Sequence, residues 1–154
     1  MNMRRSEKRI EDEPAIKAVI QQSLVCRLGL SDGYQPYVVP LSFGHEDGFL
    51  YFHAALEGRK IEMIRRNDHV CFEFDINAEI VECQEVCDWG MRYQSVIGFG
   101  KAVILDDIEE KRRALEIIMR QYSDRSFLFP EKSVARTAVI KVAIESMAGK
   151  QSGY

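Results

Sequence analysis

"FLYFHAALEGRK", residues 49–60, decides how the rest of the chain is read. Phe49 to Ala54 is a short aromatic and aliphatic run, the composition of a buried or half-buried strand. After Gly58 the period changes, and Ile61, Met63 and Ile64 in "RKIEMIRRND" recur at helical spacing. The stretch is therefore a strand-to-helix turn, with His53 at the rim of the strand and Arg59 and Lys60 opening the helix. Two readings are open. The turn is either solvated, or it is an anion seat. In the second reading the free N–H groups and positive dipole end of the first helical turn join the planar Arg59 fork and the Lys60 charge. His53 likewise either bonds a backbone carbonyl at the strand's end or faces a ligand.

Outward from this stretch, toward the N-terminus, hairpins accumulate. "EDG" (46–48) and "SDG" (31–33) are turn signals that separate "FLYFHA" (49–54), "YQPYVVPLSFGH" (34–45) and "LVCRLGL" (24–30). Two hairpins in series imply an antiparallel meander. Pro36 and Pro40 lack N–H groups, which restricts the middle segment to an edge, a bulge or a strand end. Its remaining backbone groups suit a flat heteroaromatic ring with polar edges, or they belong to a simple edge strand. Further back, "DEPAIKAVIQQSL" (12–24) has Asp12 as an N-cap and Pro14 in the first turn. Ala15, Ile16, Val19 and Ile20 share a face, so a helix is expected over 13–22.

Toward the C-terminus, "HVCFEFDINAEIVE" (69–82) alternates, with Val70, Phe72 and Phe74 on one face and Cys71, Glu73 and Asp75 on the other. "CQEVCDWGMR" (83–92) reads as a loop. "YQSVIGFGKAVILDD" (93–107) reads as a long strand, with Gly98 and Gly100 at a bulge or close approach. "IEEKRRALEIIMRQYSD" (108–124) is a helix in which Leu115, Ile118, Met119 and Tyr122 share a face and Glu109 is spaced to pair with Arg113. "RSFLFPEKSVAR" is a loop. "TAVIKVAIESMAGK" (137–150) is a last strand, with a polar tail beginning at Gly149-Lys150. About six strands and three helices result, mostly joined by tight turns. The expected class is mainly β: one domain over 1–154, a small antiparallel barrel with peripheral α-helices. A parallel α/β fold would need a helix between nearly every pair of strands.

Composition narrows the function classes. The chain has 154 residues and 46% hydrophobic content, enough for a core. No run approaches the roughly 20 apolar residues of a membrane span. "MNMRRSEKRIEDEP" lacks the apolar region of a signal peptide, so a cytoplasmic location is expected. A net charge of −3 argues against a dedicated nucleic-acid binder but leaves room for a local cationic pocket. Cys26 and Cys71 sit in apolar runs and read as core residues. Cys83 and Cys87 form a single C-x3-C pair. With only His69 nearby, they do not make the paired spacing of a zinc site, so no metal is expected. The roles of these two thiols and of Trp89 stay open. The 83–92 loop either covers a ligand cleft, with Trp89 as an apolar wall and Arg92 as a second anion contact, or packs at a seam.

The order of these segments resembles the pyridoxamine 5′-phosphate oxidase-like flavin-binding split barrels, and more closely their nitroimidazole-resistance (nitroimidazole reductase-like) branch. The pieces that carry the resemblance are "YFHAALEGRK", "YQSVIGFGKA" followed by "EEK", the terminal "AGK", and the opening "MRRSEKRI". It covers nearly the whole chain.

The resemblance implies a six-stranded antiparallel split β-barrel of the FMN-binding type. It implies a homodimer with flavin mononucleotide in clefts at the subunit interface, FAD being the other candidate. Arg59 and Lys60 would grip the flavin phosphate, with Gly58 standing where the oxidases carry a serine. His53 replaces an aromatic residue of the oxidases, and Ala54 follows it. Val38, Val39, Pro40 and Leu41 match the strand whose backbone meets the isoalloxazine. Ser95 matches a polar position near the flavin on the partner-facing strand. The oxidase's C-terminal substrate-binding segment has no counterpart after Lys150, so vitamin B6 oxidation is not expected.

The implied activity is that of a flavin-dependent oxidoreductase. It would take electrons from NAD(P)H or another donor and reduce a small acceptor such as a nitroaromatic, with His53 as a catalytic hydrogen-bond or proton donor. The rival readings are a non-catalytic flavin-binding or electron-carrier protein, a haem-binding split barrel using His45, His53 or His69, and a cofactor-free dimeric barrel.

Overall fold

Period-two alternation sorts the strand side chains into an inner and an outer set, and a curled sheet keeps the inner set dry. The computed structural model describes residues 5–154. The first four residues of the charged opening segment, and with them part of "MRRSEKRI", lie outside the described residues. The elements are β1 (Arg9–Ile10), α1 (Glu13–Gln22), β2 (Cys26–Ser31), β3 (Pro36–Leu41), β4 (Gly44–Glu46), β5 (Phe49–Ala54), α2 (Arg59–Arg66), β6 (His69–Val81), β7 (Gly90–Leu105), α3 (Ile108–Arg120), α4 (Glu131–Ala135) and β8 (Ala138–Ser152). One sheet runs β3-β2-β6-β7-β8-β5-β4, and β1 adds to β8. Every pair is antiparallel. β3 and β4 are its two ends, so the sheet curls without closing, as in a split barrel.

The class is mainly β, as expected, with eight strands among the described residues where the sequence predicts about six. The 34–45 segment divides into β3 and β4 at Ser42 and Phe43, where Phe43 turns fully into the core. The two-residue β1 is too short to leave a periodic signal. Pro36 and Pro40 do lie on an edge strand, opposite Ser31 and Arg27 of β2.

Leu28, Phe72 and Gly98 form one inward row across β2, β6 and β7. A Cβ on Gly98 would stand 2.1 Å from Phe72 Cζ, so the glycine is the slot that the ring fills. Phe43 and Phe74 extend this core with ring centroids 4.8 Å apart. The register slips between Phe99 and Gly100 against β8, the bulge expected there.

Helix α1 has the expected bounds. Asp12 accepts a hydrogen bond from Ala15 N at 3.0 Å, and Val19 and Ile20 are buried. Helix α3 is rotated from expectation. Its buried residues are Lys111, Ala114, Ile117 and Ile118 rather than the Leu115, Met119 and Tyr122 stripe. Nor does Glu109 pair with Arg113. Glu109 meets Arg112, while Arg113 and Arg120 both reach Glu46 of β4. Two further expectations change. β7 already begins at Gly90, inside the 83–92 segment. The supposed polar tail at Gly149-Lys150 is strand, paired with β7 and β1. The 125–136 segment contains the short α4.

Candidate functional site

Helix α2 starts where the chain leaves β5, and its first turn is bare. Gly58 occupies the N-cap with φ 128°, a conformation that side-chain-bearing residues rarely adopt. A Cβ there would meet nothing within 4 Å, so the space above the turn is open. Glycine has no side chain to cap the helix, and among the described residues no other side chain does so. The first-turn N–H groups therefore keep their donor capacity. Arg59 is exposed and Lys60 half-buried. Among the described residues neither forms an ion pair.

Tyr37 ties this turn to the sheet edge. The Arg59 guanidinium carbon lies 4.7 Å from the centre of the Tyr37 ring, a cation–π contact. It brings the α2 terminus to the β3 strand at Tyr37. On β3 the side chains of Val38 and Pro40 point outward and are exposed. Val39 and Leu41 turn in and pack against the core, so only their backbone is available outside. β3 pairs with β2 on one side and, among the described residues, has no neighbour on the other.

The remaining expected site residues are more scattered. Ala54 packs against the core. His53 sits opposite Val139 of β8, and its ring is exposed. Among the described residues it has no side-chain hydrogen bond, so the carbonyl-capping reading is not realised. Ser95 lies on β7, three strands from β3, between Asp75 and Lys150.

The Arg92 side chain is engaged within the chain. Its Nε donates to Gly153 O at 3.1 Å, its guanidinium stacks on Tyr154, and Glu79 is 3.7 Å away. The Trp89 Nε1 donates to Cys83 O at 2.9 Å, and Cys83 and Cys87 are exposed free thiols.

The outer sheet face holds a groove of about 440 Å³ that runs inward from β3. Val38, Gly29, Cys71 and Phe99 form its floor as one row across four strands. Tyr37 and His69 stand at its sides, and His69 Nδ1 is 2.9 Å from Asp68. Burial, and then the charge of Glu73, push the Cys71 thiol up, so it stays protonated near neutral pH. Sequence reasoning passed over Tyr37 and Phe99. The signal for Phe99 was available, because a large residue between inward Gly98 and Gly100 must point out.

Residues 12–151 match a family model described as pyridoxamine 5′-phosphate oxidase. No curated protein matches. Among solved structures, the chain is similar to a candidate 5-nitroimidazole antibiotic resistance protein from Bacteroides thetaiotaomicron VPI-5482. Identity is 40%, coverage is 93% of this chain and 86% of the other, and the TM-score is 0.84. Two more distant likenesses concern the fold alone. The flavocytochrome Anf3 from Azotobacter vinelandii has a TM-score of 0.86 at 19% identity, covering 99% of this chain and 73% of the other. An FAD and heme binding protein from Mycobacterium smegmatis has a TM-score of 0.86 at 16% identity, covering 96% and 74%.

Proposed function

This chain belongs to the pyridoxamine 5′-phosphate oxidase family, and from that premise we propose that it is an FMN-binding flavoprotein that reduces a small nitroaromatic-type acceptor. The observation that carries this reading is the bare first turn of α2, with two cations that have no carboxylate partner among the described residues, pressed against an unpaired strand edge. The donor set fits a phosphate-terminated ring ligand. N–H groups, the Arg59 fork and the Lys60 charge suit a phosphate. The free backbone edge of β3, near Val38 and Pro40, suits the polar rim of an isoalloxazine. The likeness to a candidate nitroimidazole resistance protein supports the choice of acceptor.

A bound flavin supplies electron transfer from a reduced nicotinamide to the acceptor; the protein contributes binding and orientation. Arg59 and Lys60 hold the phosphate, and Gly58 leaves room for its approach. The backbone groups of Val38 to Leu41 orient the ring. His53 has an unengaged, exposed imidazole and donates a hydrogen bond or proton to the acceptor. Ser95 lies three strands from β3 and belongs to the same site when a second copy supplies one side of it. The functional unit is therefore a homodimer, placed in the cytoplasm.

The test is the visible spectrum of the purified protein, followed by chromatography of the released cofactor to distinguish FMN from FAD. Oxidised-flavin bands are expected, and Arg59→Ala/Lys60→Ala should lower flavin affinity by about tenfold or more. His53→Ala should keep flavin and lose reductase turnover with NAD(P)H and a nitroaromatic. Unchanged turnover would remove His53 from the mechanism. A Soret-type band would replace flavin by haem. A colourless protein that does not take up added flavin would end the reading.

A further inference from the structure

Past Ile76 and Gln94 the sheet thins to two strands. Glu79–Val81 pair with Gly90–Arg92, and β8 accompanies β7 only as far as Tyr93. The segment 79–91 is thus a ribbon that projects from the barrel. Ile80, Val86, Trp89 and Met91 on it are 65%, 81%, 48% and 53% exposed. A lone two-stranded ribbon is marginal in water, and four large apolar side chains along it call for a cover.

Its charge says what kind of cover. Glu82, Glu85 and Asp88 cluster at the tip, and among the described residues none has a cationic partner. Such a tip repels phosphate backbones and anionic bilayers and selects a basic protein surface. This chain has one. Helix α2 carries Arg59, Lys60, Arg65 and Arg66 against a single Glu62, and none of the four is ion-paired among the described residues. Arg59 and Lys60 belong to the proposed phosphate seat, whereas Arg65 and Arg66 are exposed and unused by it. The nearby carboxylate of Asp32 is occupied by the N–H groups of Tyr34 and Gln35.

A chain's ribbon does not reach its own α2. β6 begins three residues after α2 ends and runs away from it for 13 residues, about 40 Å at strand rise.

We infer that the 79–91 ribbon of each copy docks on helix α2 of a second copy, its acidic tip against the guanidinium groups of Arg65 and Arg66 and its apolar side chains against the aliphatic stems of those arginines. A two-fold axis makes the contact twice. The inference rests on the homodimer of the proposed function and names which surfaces meet.

Charge reversal tests it by sedimentation equilibrium. Glu82→Arg/Glu85→Arg and Arg65→Glu/Arg66→Glu should each weaken the dimer about tenfold or more, because like charges then face each other. An equimolar mixture of the two variants should recover wild-type affinity, since both contacts of the mixed dimer are again complementary. A wild-type monomer, or variants that dimerise as tightly as wild type, would overturn the inference. A second measurement does not depend on the stability of the variants. In a Cys87→Ser chain, a short bismaleimide should join Cys83 of one copy to Arg65→Cys of another, and absence of that cross-link would overturn the docking. Flavin absorbance of the same samples reports separately. A colourless dimer that behaves this way would support the docking and end the flavin reading. A yellow monomer would do the reverse.

Discussion

Along β7 the inward residues Val96, Gly98, Gly100 and Ala102 are buried, while the outward Ile97, Phe99 and Val103 are 38%, 43% and 52% exposed. The two faces share one backbone and one set of ladder bonds, yet they answer to different constraints. Inside, side-chain volume is matched atom against atom, and a methyl group already collides. Outside, the large apolar side chains are only half covered, and Phe99 lines the groove. Close packing is thus concentrated on the inner face, and substitutions on the two faces should separate cleanly.

Phe72→Ala should give the largest effect. The ring is fully buried in the row between Leu28 and Gly98, and its loss should destabilise the fold by about 3–5 kcal/mol in urea unfolding. Gly98→Ala comes next. Its Cβ would fall 2.1 Å from Phe72 Cζ and 2.7 Å from Ser146 O, an overpacking that should cost about 1–3 kcal/mol. Adding Phe72→Leu to Gly98→Ala should return part of that loss. A double-mutant cycle with zero coupling would show that the inner face is less tightly matched than the distances imply.

A third test uses pH. His45 is half-buried on β4, and burial, then the charge of Lys17, lower its pKa against a smaller opposing effect of Asp47. The folded state therefore favours neutral imidazole, and the unfolded chain binds the proton more readily. Stability from this group is present above the ordinary histidine value and is lost as pH falls below it. His45→Gln should flatten the decline in unfolding free energy between about pH 7.5 and about pH 5.5. An unchanged pH profile would place the acid sensitivity elsewhere. The smallest effect is expected outside: Phe99→Ser should change monomer stability by no more than about 0.5 kcal/mol. A loss as large as that of Gly98→Ala would break the contrast between the faces.

Much of this was legible before the fold was known, and the legible parts share a cause. Asp12, Pro14 and the α1 stripe act within a few residues of one another, so the helix bounds could be read directly. The inward set Val70, Phe72 and Phe74, and the edge placement of Pro36 and Pro40, follow from the pleat and from a missing N–H. The α2 seat was legible as a constellation, because Gly58, Arg59 and Lys60 are adjacent. Its attachment to Tyr37 was not, because the two lie 22 residues apart in sequence and nothing local links them.

The parts that were misread depend on partners distant in sequence. Gly149-Lys150 looks like a tail because its residues are polar, yet β7 and β1 offer ladder partners that extend β8 to Ser152. Helix α3 turns Lys111, Ala114 and Ile117 inward because β4, β5 and β8 receive that face, and Arg113 leaves Glu109 for Glu46 on β4. The sequence by itself determined the β-rich class, the strand faces, the helix caps and the bare cationic turn, since each arises from bonds and sterics within a turn or two. Tertiary structure alone decided the sheet order, the face of α3, the joining of Arg59 to the β3 edge and the projection of the 79–91 ribbon. Those depend on which surfaces exclude water together, and that is settled only when segments remote in sequence meet.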